Sequence, residues 1–209
     1  MTFHSVKAGV REEQVTLPKL RYENATSVEQ ALLKRRSVRQ FRNVSLALDD
    51  LGQLLWAAQG ITDRAGFRTS PSAGALYPLE VYTVAGNVQG LATGLYHYVP
   101  YGHTLLQITD EDKREALSRA AYDQSSIAEA PAILVLCAVY ERVTGKYGVR
   151  GRRYVHMEVG HAAQNVYLQA LSLRLGTVAL GAFDDRRVTE TLTLGRRELP
   201  LYIMPVGRT

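Results

Sequence analysis

The run Ala132-Ile133-Leu134-Val135-Leu136-Cys137-Ala138-Val139 contains no polar position, and it constrains the fold more than any other stretch of the chain. A strand with one wet face alternates apolar and polar residues, whereas an unbroken apolar run of this length needs cover on both faces. It therefore calls for a central strand with a layer of structure above and below it. Extended by Tyr140 it is the longest apolar run, about half of a membrane span, so it belongs to a core, and Cys137 is packing.

The neighbouring segments fit such a layered domain. Leu79 to Ala85, Gly94 to Val99 and Thr104 to Ile108 are rich in Tyr and β-branched residues between Gly and Pro punctuation, and read as a meander of strands. Ser27-Val28-Glu29-Gln30 has the capping-box pattern and opens a short helix that ends in Arg35-Arg36-Ser37-Val38-Arg39. Asp49 and Asp50 open a second helix with Leu51, Leu54, Leu55 and Ala58 at helical spacing and Gly60 as its stop. A charged helix is expected from Asp110 to about Tyr122. The longest helix is expected from Tyr154 to Leu173, with an apolar stripe wide enough to imply burial on more than one face. Leu175 to Gly181 reads as extended, Asp184 caps a helix to about Leu194, and Leu201 to Val206 forms a terminal strand. Residues 1–24 read as an arm that must lie on something else to be ordered, and residues 25–209 as a single α+β domain.

The 209 residues carry twenty arginines against five lysines and a net charge of +5. Planar, permanently charged forks suit nucleic acid, a phosphorylated cofactor or a solvated surface, and composition does not choose among them. One cysteine makes no internal disulfide and supplies no zinc cluster, which suits a reducing compartment, with the cytoplasm as default. The N-terminal residues are charged where a signal peptide needs an apolar core, and no membrane partner is expected.

Dinucleotide and P-loop signatures are absent. His156 and His161 stand five apart, where two ligands on one helical face need four, so no metal site is expected. Arg35, Arg36 and Arg39 with Ser37 offer forked donors and a hydroxyl at one helix end, as a phosphate monoester or an electron-rich ring oxygen requires; a solvated basic face is the competing reading. Arg150, Arg152 and Arg153 read as a solvated loop. Residues 61–78 form a long loop of small residues and prolines, a kind that is usually functional, and its end lets backbone amides approach a flat ligand closely. Neither arginine cluster has the aromatic interleaving of single-strand binders, which speaks against nucleic acid.

Five motifs in order make the combination specific. Arg35-Arg36-Ser37-Val38-Arg39, Ser70-Pro71-Ser72-Ala73-Gly74-Ala75-Leu76-Tyr77-Pro78, Glu158 to Asn165 (EVGHAAQN), Leu175 to Asp185 (LGTVALGAFDD) and Pro205-Val206-Gly207-Arg208 together resemble the nitroreductase superfamily. Their wording is closest to its SagB-type dehydrogenase branch. The resemblance implies a layered α+β sandwich, a mainly antiparallel central sheet flanked by helices, in an intertwined homodimer with FMN at the subunit interface. It also implies roles for particular residues. Arg35, Ser37 and Arg208, with Arg36 beside them, correspond to ligands of the flavin phosphate, and Arg39 to the cation at the pyrimidine edge, where a positive charge stabilises the reduced ring. Ser70, Pro71, Ser72, Gly74 and Leu76 correspond to the loop along the ring, and Leu180, Gly181 and Ala182 to the segment near N5.

Gly181 replaces the acidic residue of classical nitroreductases and Gly74 replaces their loop Asn, which points away from nitroaromatics. Lys146-Tyr147, in what reads as a Gly-rich loop, resembles the pair that azoline oxidases of the SagB-type branch use for proton removal. The function implied is an FMN-dependent oxidoreductase taking hydride from NAD(P)H and reducing a small, flat, oxidised acceptor by a ping-pong mechanism. The alternatives are an azoline dehydrogenase with Lys146 or Tyr147 as base, and a flavin or polyanion binder without turnover.

Overall fold

A computed structural model describes residues 13–209; of the expected N-terminal arm, residues 1–12 lie outside the described residues. Among the described residues, seven strands form one sheet, antiparallel throughout. In spatial order they are β1 (Gln14–Thr16), β6 (Thr104–Thr109), β5 (Gly94–Val99), β3 (Leu79–Ala85), β7 (Ala132–Val139), β9 (Glu198–Arg208) and β8 (Leu175–Thr177). Two short parallel strands, β2 (Leu46–Ala47) and β4 (Val88–Gln89), stand apart from it. The apolar run is β7, inside the sheet between β3 and β9.

Its side chains serve both faces, as strand geometry dictates. Leu134, Leu136 and Ala138 join the core beneath α2 (Leu48–Gln59) and α6 (Arg150–Ser172). Ile133, Val135 and Cys137 join a second core under α3 (Arg114–Ala120), α4 (Ser125–Glu129) and α7 (Asp185–Thr191). The result is a three-layer α+β sandwich. Leu51, Leu54, Leu55 and Ala58 of α2 are fully buried, each worth about 1–3 kcal/mol of transfer free energy for the larger side chains. No helix among the described residues is long and apolar enough to cross a membrane.

α1 (Val28–Lys34) is capped as expected, with the Ser27 side chain accepting from the Gln30 amide, and Asp184 caps α7 by accepting from the Arg187 amide. Three expectations need correction. α6 begins at Arg150, so the arginines read as a loop form its first turn. Lys146 and Tyr147 close a further helix, α5 (Glu141–Tyr147), instead of lying in a loop. The helix expected from Asp110 starts only at Arg114, after Asp112 has accepted from the Arg114 amide and guanidinium. Of the expected arm, Gln14–Thr16 lie on the sheet as β1, paired with β6 at Gln14–Leu106 and Val15–Leu105.

The segment that follows α1 meets the last strands at the β8 edge of the sheet. Ser37 forms a parallel bridge with Thr177, Val38 donates to the Thr177 carbonyl at 2.9 Å, and Arg42 donates to the Arg208 carbonyl at 2.9 Å. Two glycines facing one another across β8 and β9, Gly176 and Gly207, make room for this. A Cβ on Gly176 would stand 2.7 Å from Val38, and one on Gly207 2.8 Å from Phe41. Any larger residue there lifts the arginine segment off the sheet.

Candidate functional site

Two groups of side chains lie at different levels of α6. The first is centred on Tyr167. Its hydroxyl accepts from the Ala179 amide at 2.8 Å, which leaves its own proton for Ser37 Oγ at 3.0 Å. The Arg35 guanidinium stacks over the ring, 5.0 Å from its centroid, a cation–π contact worth about 0.5–1 kcal/mol at the surface. One phenol therefore ties the Arg35–Ser37 segment to the backbone leading into Leu180, Gly181 and Ala182. Beside it opens a concavity of about 240 Å³ lined by Lys34, Arg35, Arg36, Tyr167, Arg174 and Thr177, among others. The buried Thr177 hydroxyl has no hydrogen-bond partner among the described residues.

The remaining residues of the expected flavin site near this group are placed as follows. Arg36 turns back on its helix, donating to the Leu33 and Arg35 carbonyls. Arg39 is exposed and makes no ion pair among the described residues. The main chain of Arg208 joins the group, but its guanidinium reaches elsewhere, donating to the Leu173 carbonyl at 2.7 Å and to Asp50 at 2.8 Å. Asp50, buried, also takes Arg21 at 2.9 Å. Arg208 and Arg174 line a neighbouring concavity of about 370 Å³. Leu180 is buried and exchanges both backbone hydrogen bonds with Ile203, which leaves Gly181 and Ala182 exposed at the surface.

The second group surrounds the loop from Ser70 to Pro78. Ser70 is fully buried; its hydroxyl donates to the Ala58 carbonyl and accepts from Asn165, which also donates to the Thr69 carbonyl. The side chain of Ser70 thus anchors the loop, and Pro71 and Gly74 are exposed beyond it. The Ser72 hydroxyl accepts from the Tyr77 amide at 2.9 Å, and Leu76 packs on the core. Gly74, Ala75 and Tyr77 all have positive φ, a conformation that costs non-glycine residues about 1–2 kcal/mol each. The far end is clamped: Arg142 donates to the Tyr77 carbonyl and pairs with Glu80, which also binds His97 at 2.8 Å, while Arg68 stacks on Tyr77. Burial pushes the Glu80 carboxyl up, but His97 and Arg142 together hold it below its ordinary range.

Lys146 and Tyr147 close over this loop. A Cβ built on Gly74 would meet Tyr147 Oη at 2.8 Å and Lys146 Nζ at 3.0 Å, so a side chain at position 74 would displace both. Tyr147 is braced edge-on by Tyr154 at 5.2 Å. Glu158, one turn further along α6, faces Ser72 and Arg68 of the same loop; burial raises its carboxyl to about 7 against the pull of both.

Tyr167, Asn165, Arg68 and Glu158 were not singled out as site residues by sequence reasoning. Asn165 and Glu158 bound the EVGHAAQN motif, and Glu158 carried a further signal, a carboxylate on the apolar stripe between Val155 and Ala162. Tyr167 carried none, because an aromatic at helical spacing is core until its hydroxyl is seen to be used.

A three-layer antiparallel sandwich with a glycine-floored arginine segment and a strained, clamped loop over one long helix defines a class, and the chain belongs to the nitroreductase family, whose model matches residues 32–208. It is 52% identical over 181 residues to the nitroreductase homologue MJ1384 of Methanocaldococcus jannaschii, covering 87% of this chain and 90% of that protein. It is 30% identical over 146 residues to the microcin B17-processing protein McbC of Escherichia coli, covering 67% of this chain and 54% of McbC. The crystal structure of a nitroreductase homologue from Ralstonia eutropha superposes with a TM-score of 0.83 at 29% identity, over 97% of this chain and 92% of that one.

Proposed function

We propose that this family oxidoreductase uses FMN, takes hydride from NADH or NADPH, and delivers two electrons to a small, flat, oxidised acceptor in the same open pocket. The observation that carries the reading is the orphaned Thr177 hydroxyl in a basic concavity whose walls include Arg35, Arg36 and Arg174. A buried hydroxyl without a partner costs about 1–3 kcal/mol, and a phosphate oxygen would satisfy it while the forks neutralise the charge. FMN would supply reversible two-electron chemistry at N5.

The chain's own residues do the rest. Arg35, Ser37 and Thr177 hold the phosphate end. Arg39 offers its unpaired cation to the pyrimidine edge. The exposed backbone of Gly181 and Ala182 lies open to the ring, and the clamped loop from Ser70 to Leu76 excludes water from a flat ligand. The sharing of one pocket by donor and acceptor explains the lack of a dinucleotide-binding fold.

The reading includes a homodimer. Val28, Leu32 and Leu33 of α1 and Met157 of α6 are all more than half exposed, an apolar surface that a second copy would cover. The two groups of site residues, separated along α6 by the nine residues from Glu158 to Tyr167, or about 14 Å of helix axis, would then come from facing subunits.

Lys146 Nζ and Tyr147 Oη, converging on Gly74, favour a second reading, an azoline dehydrogenase in which one of them removes a proton from the substrate. Absorption spectra of the purified protein, with and without NADH or NADPH under anaerobic conditions, separate the readings. Yellow protein that bleaches supports the reductase. Yellow protein reduced only by an azoline supports the dehydrogenase, and colourless protein that cannot be loaded with FMN removes both.

A further inference from the structure

Glu158 occupies a place that the helix pattern reserves for an apolar side chain, between Val155 and Ala162 on the buried stripe of α6. It is 2% exposed, and neither carboxylate oxygen has a hydrogen-bond partner among the described residues. An ionised carboxylate in such a place is costly, and the ordinary escape is to keep the proton. The groups facing it come from the loop: the Ser72 hydroxyl and the Arg68 guanidinium. Behind Arg68 stand Glu80, Arg142 and Tyr77. On its own helix, Tyr154 lies one turn before it, braced on Tyr147, and His161 lies three residues after it, exposed. Ser72 Oγ already accepts from the Tyr77 amide, so its proton is free to point elsewhere. Ser72 is half-buried and stands two residues before Gly74, where Lys146 and Tyr147 close. An enclosed acid thus faces a hydroxyl of the loop that Lys146 and Tyr147 close over.

We propose that Glu158 holds the proton that acceptor reduction consumes and passes it through the Ser72 hydroxyl. The proposal rests on the oxidoreductase reading above. Reducing the acceptor takes one hydride and one proton. The hydride brings both electrons, originally from the nicotinamide. The proton leaves Ser72 Oγ for the acceptor atom, Ser72 Oγ takes the Glu158 proton, and water restores the Glu158 acid before the next turnover. Ser72 touches the acceptor; Glu158 acts through it as a positioning residue.

The test has a readout that does not depend on turnover. Carboxyl-labelled glutamate is followed by NMR as the purified protein is titrated, with Glu158→Gln assigning the resonance. One carboxyl titrating near 7 that is missing from the variant is expected, and a Glu158 that titrates in the ordinary carboxylate range overturns the proposal. Anaerobic rapid mixing then follows bleaching by NADH and reoxidation by p-benzoquinone as separate steps. In Glu158→Gln, flavin content and bleaching are expected to persist; in Ser72→Ala, which alters the flavin loop itself, both rates are taken per bound flavin. Reoxidation at neutral pH should slow at least about tenfold, within the range of general acid catalysis, and its pH profile should flatten through 7. An unchanged rate and profile overturn the proposal, and if Glu158→Gln does not fold, Ser72→Ala carries the kinetic arm alone. Colourless protein that cannot take up FMN overturns both the oxidoreductase reading and the proposal. A flavoprotein that bleaches with NADH while Glu158 titrates ordinarily overturns the proposal alone.

Discussion

Replacing Glu158 with Gln should change how stability depends on pH, by an amount the structure allows to be worked out. The carboxyl ionises at about 7 in the folded protein, against an ordinary 4.5, because burial outweighs the pull of Ser72 and Arg68. Between those values the unfolded chain has lost its proton and the folded chain has kept it, so stability falls as pH rises. The contribution is fully present below 4.5 and gone once pH passes about 7. At 1.36 kcal/mol per pH unit the whole window is worth about 3 kcal/mol. The isosteric amide cannot ionise and lacks this term, so the variant gains on the parent by most of that amount between about pH 5 and about pH 8. For a chain of this length 1 kcal/mol moves Tm by about 2–4 °C, which gives a difference of about 6–12 °C across the window. Thermal melts of both proteins in the same flavin state, at matched ionic strength, measure it. Parallel curves for parent and variant would refute the reasoning, because every other titrating group is common to both.

Three further outcomes are expected. Tyr167→Phe removes the hydroxyl that joins Ser37 to the Ala179 amide, so the fold should persist while FMN binds about fivefold more weakly, one lost hydrogen bond being worth about 1 kcal/mol; equal affinity by fluorescence titration would count against the phosphate site. Gly176→Ala drives a Cβ against Val38 and Thr209, and overpacking of this kind should cost about 1–3 kcal/mol in a denaturant melt together with flavin retention; a variant as stable and as yellow as the parent would show that the arginine segment can rise without consequence. Lys146→Ala with Tyr147→Phe should leave bleaching by NADH intact but abolish any azoline oxidation, and loss of both would place the pair in flavin binding instead.

How far the sequence exposed this architecture depended on how local the cause was. β7 was legible because continuous apolar character has one economical explanation, and the meander and the caps at Ser27 and Asp184 were legible because turns and capping are settled within a few residues. The start of α6 was not, since Arg150 to Arg153 carry no apolar period and are helical only because the helix propagates back toward α5. Short α4 and α5 escaped for a related reason: seven residues or fewer are marginal as isolated helices and exist here through packing on the sheet. At the site, the loop and the arginine segment were visible as motifs. Tyr167 and Glu158 acquire meaning only when a hydroxyl from one element meets an amide from another, and that is a property of packing.

The seating of the arginine segment over Gly176 and Gly207 has a consequence for the order of assembly. Domains fold as the chain emerges, N-terminal parts first, yet Ser37, Val38 and Arg42 find their backbone partners only at Thr177 and Arg208, 139 to 166 residues later. The arginine segment must wait, charged and unseated, until the final strand has been made. A phosphate-bearing ligand present at that moment would meet its binding site as the last edge closes, so loading with cofactor and completion of the sheet should be a single event.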